Sequence, residues 1–313
     1  MNHYEKQLKR YETYLLLKNF SSRTRVMYLR TIRSFYAFRA SCNMKYPLTE
    51  EQAGEYLLSR INAKKAWATI NCDYSALRKY YREVLELPWS MKKIPRPQKE
   101  RHLPEILSQE DVVKLIEHAP IYKHQVFLTF VYGTGLRLSE ALNIEFDDID
   151  SDRLQIRVNS GKGNKDRVVQ VPACLIELLR KYYLHYRPKK YLFNGLKKGS
   201  QYSRRAAQWG IIRARNLAGI TKTATVHTLR HCYATHHIEN GTDLVFLQEQ
   251  LGHKHLKTTA KYVHPTRCTR FFSLQGALHL ARLRRIVQEC MERYRRINHP
   301  LVSMQIQYRS TNR

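Results

Sequence analysis

Acidic residues are scarce in this chain. Only 26 Asp and Glu stand against 55 Lys and Arg, a formal net charge of +29 over 313 residues. No stretch offsets the imbalance: residues 1 to 103 carry 21 basic and 9 acidic side chains, 104 to 270 carry 26 and 15, and 271 to 313 carry 8 and 2. Such an excess predicts a polyanionic partner held along most of the molecule. A run of about 18 apolar residues is also missing, and the N-terminal Met-Asn-His-Tyr-Glu-Lys has no signal-peptide h-region. Of the two common polyanions, a membrane surface is therefore disfavoured and nucleic acid preferred. The six cysteines, at 42, 72, 174, 232, 268 and 290, contain no Cys-x-x-Cys pair. They read as reduced, buried thiols of a cytosolic protein rather than a disulfide framework. Neither an internal repeat of 20 to 50 residues nor a low-complexity tract is present, which excludes a solenoid.

What is present suits two compact domains, with 43% hydrophobic residues to fill their cores. From Tyr4 to about Arg39, apolar side chains at Leu8, Tyr11 and Leu15, then Tyr28, Ile32, Phe35 and Phe38, recur at helical spacing. Asn19-Phe20-Ser21-Ser22 interrupts the run, and either serine can cap the second helix. Further helices are predicted over about 50–60, opened by Thr49 with Gln52 as a capping box, and over about 67–86. Arg23, Arg25, Arg30, Arg33, Lys64, Lys65, Arg78, Lys79 and Arg82 lie on their polar faces. Tyrosines interleave with these cations; their helical spacing favours core packing over base contact. The segment Pro88–Pro104 holds four prolines and several cations and reads as a stiff basic linker, with a domain boundary near residue 100.

Beyond the linker, Ser108 and Asp111 open a helix to about His118, and an apolar helix over 123–133 is expected to end at Gly133. Alternation over Leu154–Val158 and again over Val168–Val171, around the loop Gly161–Asp166, predicts a β-hairpin. Helices follow at about 173–184, 204–217, 227–239 and 243–251, and a last one from Leu274 to about Arg295 precedes a basic tail. The fold class is thus mostly α with a small β component.

Four separated stretches carry the chemistry. They are Gly-Thr-Gly-Leu-Arg137-Leu-Ser-Glu140, Gly-Lys162-Gly-Asn-Lys-Asp-Arg, His227-Thr-Leu-Arg230-His, and His253 with Tyr262 nine residues on. Breaking a phosphodiester requires an in-line nucleophile, positive charge on the non-bridging oxygens and a proton for the departing 5′ oxygen. Arg137 and Arg230 can each fork onto two phosphate oxygens, which lysine cannot do. Tyr262 can attack as a phenolate, with His227 as candidate base, His253 as a hydrogen-bonding phosphate ligand and Lys162 as acid for the leaving oxygen. Glu140, three residues after Arg137, can orient a guanidinium.

In order and spacing these stretches, together with Glu-Asn-Gly-Thr-Asp (239–243) and Leu-Gly-His-Lys-His-Leu-Lys-Thr-Thr-Ala-Lys-Tyr-Val-His (251–264), resemble the tyrosine recombinases of the phage-integrase superfamily. The likeness is to Xer-type resolvases and to integron- and transposon-borne integrases. It implies a helical, SAM-like core-binding domain over 1–100 and an α+β catalytic domain over 105–313, closing as a clamp around duplex DNA. It places Arg137, Lys162, His227, Arg230, His253 and Tyr262 in the active site, with Tyr262 forming a 3′-phosphotyrosyl link. Since bond energy is stored in that link, no cofactor and no metal is expected. A homotetramer on two DNA sites is implied, with room for accessory DNA-bending factors and no membrane partner, in the bacterial cytoplasm at the nucleoid. The absence of a segment ahead of the core-binding half speaks against the large lambda-like integrases, and Cys232 stands where the family usually has Ser or Thr.

Two alternatives share that fold: a type IB topoisomerase-like relaxer, and a DNA-binding regulator without catalysis. A third reading makes a metal site of His227, His231, Cys232, His236 and His237, and is disfavoured because the motif has no carboxylate to serve as a base.

Overall fold

The computed structural model describes residues 3–90, 94–98, 105–159, 166–197, 199–263 and 275–297. The chain divides into two compact units, Met1–His102 and Leu103–Arg313.

The first unit contains α1 (His3–Leu17), α2 (Ser22–Ser41), α3 (Glu50–Asn62) and α4 (Trp67–Glu83). Its core is unusually rich in tyrosine: Tyr11, Tyr74, Tyr80 and Tyr81 are fully buried beside Leu15, Ile32, Phe35 and Leu77. A buried phenol must find a partner for its hydroxyl. Tyr11 donates to the Ala76 carbonyl at 2.9 Å, Tyr81 to the Thr49 carbonyl at 2.8 Å, and Tyr80 shares a 2.8 Å bond with Tyr36. The aromatic stripe is core, as its spacing predicts, while Arg23, Arg30, Arg33, Lys64, Lys65 and Arg82 face solvent.

Ser21 caps α2 by accepting from the Thr24 amide at 3.3 Å. At α3 only half of the expected capping box forms. Thr49 accepts from the Gln52 amide at 3.4 Å, but the Gln52 side chain turns to Arg39 Nε at 2.9 Å and the Lys45 carbonyl at 3.0 Å. The buried Arg39 guanidinium has the stronger need for an acceptor. The proline-rich segment, expected as a stiff basic linker, is packed onto the first unit in its first part. Ile94 is buried in the first unit's core, Trp89 Nε1 donates to the Tyr74 hydroxyl at 3.2 Å, and the Pro97 carbonyl accepts from Asn71 at 3.1 Å. Residues 99–104 lie outside the described residues.

The second unit runs α5 (Gln109–Glu117), α6 (Tyr122–Thr134), α7 (Leu138–Asn143), β1 (Ile149–Asp150), β2 (Gln155–Val158), β3 (Arg167–Gln170), α8 (Ala173–Tyr186), α9 (Arg204–Leu217), α10 (Val226–Glu239), α11 (Leu244–Leu251), α12 (Leu256–Thr259), a 3₁₀ turn at Ala260–Tyr262, and α13 (Gln275–Ile297). The spine is α6, buried at every residue except Lys123, with α8, α10 and α13 packed on it. It passes the expected stop at Gly133 and ends where Gly135 turns left-handed at φ 63°. A side chain there would be strained and would meet the Tyr233 ring at 2.5 Å.

The hairpin pairs β2 with β3 in antiparallel register, Val158 opposite Arg167, one residue earlier on β3 than the alternation suggests. A third strand, β1, adds to β2 through Ile149 and Ile156, giving the order β1-β2-β3. Two residues carry too little alternation to be read as a strand. Leu283, Ile286, Val287 and Cys290 of α13 are buried in the core of this unit. Among the described residues no helix is long and apolar enough to cross a membrane.

Candidate active site

The site is assembled from the ends of secondary elements. Arg137 occupies the N-cap of α7, two residues after the left-handed Gly135. Its backbone amide donates to Glu140 Oε2 at 3.0 Å, and its Nη1 to Oε1 at 2.6 Å. Arg230, one turn into α10, is 1% exposed. Its Nη1 donates to the Gly135 carbonyl and its Nη2 to the Leu251 carbonyl, each at 2.6 Å, while Nη1 lies 4.0 Å from Glu140 Oε2. These bonds run to chain ends that α6 and α11 leave without intrahelical partners.

Arg167, the first residue of β3, completes the set. Its two terminal nitrogens hold both oxygens of Glu140, at 3.2 and 2.8 Å, and its Nε donates to the Gln250 carbonyl at 3.1 Å. Burial alone would raise the Glu140 carboxyl, but Arg167 and then Arg137 hold it down at about 2. Three guanidiniums thus surround one carboxylate, leaving a formal charge of +2 that one phosphodiester anion would relieve. Burial and then repulsion from Arg137 lower Arg230 to about 10, so it stays cationic at neutral pH.

His253 follows α11, which ends at Gly252 in a left-handed turn of φ 61°. Its Nε2 lies 3.1 Å from Arg230 Nη2 and its Nδ1 2.9 Å from Thr259 Oγ1. Because a guanidinium only donates, Nε2 accepts and Nδ1 carries the proton. Burial, then Arg230 and Arg137, lower this imidazole to about 4, consistent with a neutral ring. As placed, His253 orients Arg230.

Tyr262 closes the 3₁₀ turn after α12 and is 7% exposed. Its ring lies nearly parallel to that of His253, at 13° and 6.3 Å between centroids. Burial raises its pKa, and Arg230 followed by Arg137 oppose that rise. The hydroxyl lies 3.0 Å from Nδ1 of His231. His227, one turn earlier on α10, packs edge-on against His231 at 4.5 Å and is lowered by desolvation, then by Arg230 and Arg137.

Of the residues singled out from sequence, Arg137, Glu140, His227, Arg230, His253 and Tyr262 therefore come together in the second unit. Lys162 lies in the hairpin loop, outside the described residues. The sequence reading passed over Arg167 and did not place His231 beside Tyr262. Both stood within quoted motifs, Arg167 closing the Gly-Lys-Gly stretch and His231 one helical turn from His227.

The histidine cluster weighed as a metal site is otherwise engaged. His236 bonds the Tyr132 hydroxyl at 2.9 Å and the Leu107 carbonyl at 3.0 Å, and His237 bonds Thr242 at 3.0 Å. No group of three or more His, Cys, Asp or Glu placed to hold a metal occurs among the described residues. Cys232 is fully buried with Sγ 3.8 Å from the Leu107 carbonyl.

Two family profiles match the chain: the phage integrase family over residues 105–267, and the phage integrase N-terminal SAM-like domain over residues 8–91. The y4qK protein of Sinorhizobium fredii is 38% identical over 251 residues, covering 79% of this chain and 80% of its own length. Tyrosine recombinase XerD of Staphylococcus saprophyticus is 36% identical over 206 residues, 61% of this chain and 69% of that protein. The Tn1549 transposon integrase, solved with circular intermediate DNA, shares the fold at a TM-score of 0.66 and 18% identity, over 88% of this chain and 99% of that one. With a helical SAM-like unit, a catalytic unit holding a small antiparallel sheet, and these sequence relatives, the chain belongs to the phage integrase family, the tyrosine recombinases that cleave and rejoin DNA strands in site-specific recombination.

Proposed function

We propose that this recombinase acts through a 3′-phosphotyrosyl intermediate formed on Tyr262. The observation that carries the reading is the placement of the Tyr262 hydroxyl within a site where Arg137, Arg167 and Arg230 exceed the charge of Glu140. In it, Arg137 and Arg230 bind the non-bridging oxygens of the scissile phosphate, His227 and His253 complete the polar lining, and Lys162 gives a proton to the departing 5′ oxygen. The released 5′-hydroxyl of one strand then attacks the phosphotyrosyl link of another. Arg137 can turn from Gly252, whose carbonyl it meets at only 3.4 Å, without losing Glu140.

The partner is duplex DNA at specific recombination sites, bound by both units, with a homotetramer bridging two sites and accessory DNA-bending factors as further partners. The core-binding unit comprises residues 1–100 and the catalytic unit 105–313. The reaction puts the protein with the bacterial nucleoid in the cytoplasm. DNA complexes and a tetramer on a Holliday junction, solved for proteins of this fold, support the assembly.

The test is trapping on a nicked suicide duplex whose sequence is selected from a randomised library by its binding to the Tyr262→Phe protein. Wild type is expected to give a covalent adduct on Tyr262 and Tyr262→Phe none, with equal DNA binding. Tight binding without any wild-type adduct would make the protein a DNA-binding regulator.

A further inference from the structure

The reaction needs a group to receive the phenolic proton, since a tyrosine hydroxyl with a pKa near 10 is a poor nucleophile at neutral pH. Burial makes the need greater here, because it raises Tyr262 further. A base has to lie within hydrogen-bond reach of that proton. Nδ1 of His231 is at 3.0 Å from the hydroxyl oxygen, so His231, rather than the sequence candidate His227 one turn earlier, holds the position a base requires.

We propose that His231 is the catalytic base that takes the proton from Tyr262 during strand cleavage and returns it during rejoining. The inference rests on Tyr262 being the nucleophile. In the forward step the Tyr262 O–H bond breaks and its proton passes to Nδ1 of His231. The Tyr262 oxygen bonds to phosphorus, the bond from phosphorus to the 5′ oxygen breaks, and that oxygen takes a proton from the acid assigned to Lys162. In the reverse step the 5′-hydroxyl displaces the tyrosine and His231 reprotonates the departing phenolate.

Three features of the site support the assignment. The hydrogen bond already exists, so no rearrangement of α10 or of the 3₁₀ turn is required for transfer. Burial first, and then His227 and Arg230, lower the half-buried His231 ring to about 4, which favours its neutral form, and the Nε2–H tautomer of that form presents the Nδ1 lone pair to the hydroxyl. Finally, Arg230, one of the groups that depress it, is also one that would bind the scissile phosphate. An arriving phosphodiester offsets the field of Arg230, raising the basicity of His231 when substrate is in place. The titratable and charged groups around the pair are His227 and Arg230 on its own helix, Arg137 ahead of α7, and His253 beside the Tyr262 ring.

The experiment measures adduct formation by the full chain on the suicide duplex described above, from pH 6 to 9. His231→Gln is expected to slow adduct formation by about 10²–10⁴-fold at pH 7. Its rate should then climb about tenfold per pH unit toward the phenol's own ionisation, while wild type stays nearly level. His231→Ala should be accelerated by added imidazole. Retained DNA binding and a retained thermal midpoint establish that both variants are folded, and His231→Asn serves if either is not. A folded variant with the wild-type rate overturns the assignment, and so does a slow one with the wild-type pH profile and no imidazole response. An adduct from Tyr262→Phe would instead overturn the nucleophile itself.

Discussion

The guanidinium of Arg167 grips both carboxylate oxygens of Glu140, Nη1 on Oε1 at 3.2 Å and Nη2 on Oε2 at 2.8 Å, across 27 residues of sequence. Arg167 is the foot of the hairpin whose loop carries Lys162, and Glu140 is the residue on which Arg137 is oriented. This one ion pair therefore joins the hairpin to the anion site. Its geometry also explains Gly252, where an added Cβ would lie 2.9 Å from the Arg167 side chain.

Removing Arg167 leaves Glu140 with Arg137 as its one close partner and takes away both bonds of the Arg167 fork from a buried carboxylate. Arg167→Ala is expected to cost about 3 kcal/mol, read as a fall of roughly 6–12 °C in thermal midpoint for a unit of this size. Adduct formation should slow as well. Arg167→Lys, which lacks the planar fork, should recover less than half of either loss.

Glu140 also sets an acid limit on stability. Its carboxyl is held at about 2, against an ordinary 4.5, chiefly by Arg167 working against the effect of burial. A carboxylate depressed in the folded state contributes stability that is present above about 4.5 and lost as pH falls toward about 2. The stabilisation is on the order of 3 kcal/mol. Urea midpoints of wild type between pH 5 and 2.5 should fall more steeply than those of Glu140→Gln, which should start lower and run flatter.

A second carboxylate pair has the opposite sign. Glu117 on α5 and Glu289 on α13 each bury a carboxyl oxygen that has no hydrogen-bond partner unless the two share a proton, and such sharing, then burial, then the charge of Glu289 raise Glu117 to about 7, with Arg285 and His118 opposing. Stability from a raised carboxyl is fully present below about 4.5 and is lost as pH rises through about 7. The thermal midpoint of wild type relative to Glu117→Gln should therefore decline between pH 4.5 and 7, and a constant difference would show that the two carboxyls share no proton.

Lys162 is tested by its leaving group. Lys162→Ala should slow cleavage of an ordinary phosphodiester by about 10²–10⁴-fold. A bridging 5′ sulfur leaves as a thiolate without needing a proton, so the loss on that substrate should shrink to a few-fold. Equal losses on both substrates would remove the lysine from the acid role.

Much of this protein was legible before any coordinates. Helix positions followed from the spacing of Tyr11, Leu15, Ile32 and Phe35, because one buried face per helix imposes a period close to 3.6. Caps at Ser21 and Ser108 followed from short polar side chains that satisfy amides three residues on. The candidate set was legible because phosphodiester chemistry demands particular residue types, and Arg137, Glu140, His227, Arg230, His253 and Tyr262 do come together in the second unit.

The sequence alone determined which elements form and which residue types could perform phosphoryl transfer, since both depend on local spacing and intrinsic side-chain chemistry. Only the tertiary structure decided the pairings. His231 meets Tyr262 across 31 residues, Arg230 reaches the Gly135 carbonyl across 95, and Gln52 leaves its capping role for a buried arginine. Such choices are made where buried charges and donors from distant elements must satisfy one another, and no local periodicity encodes which partner they take.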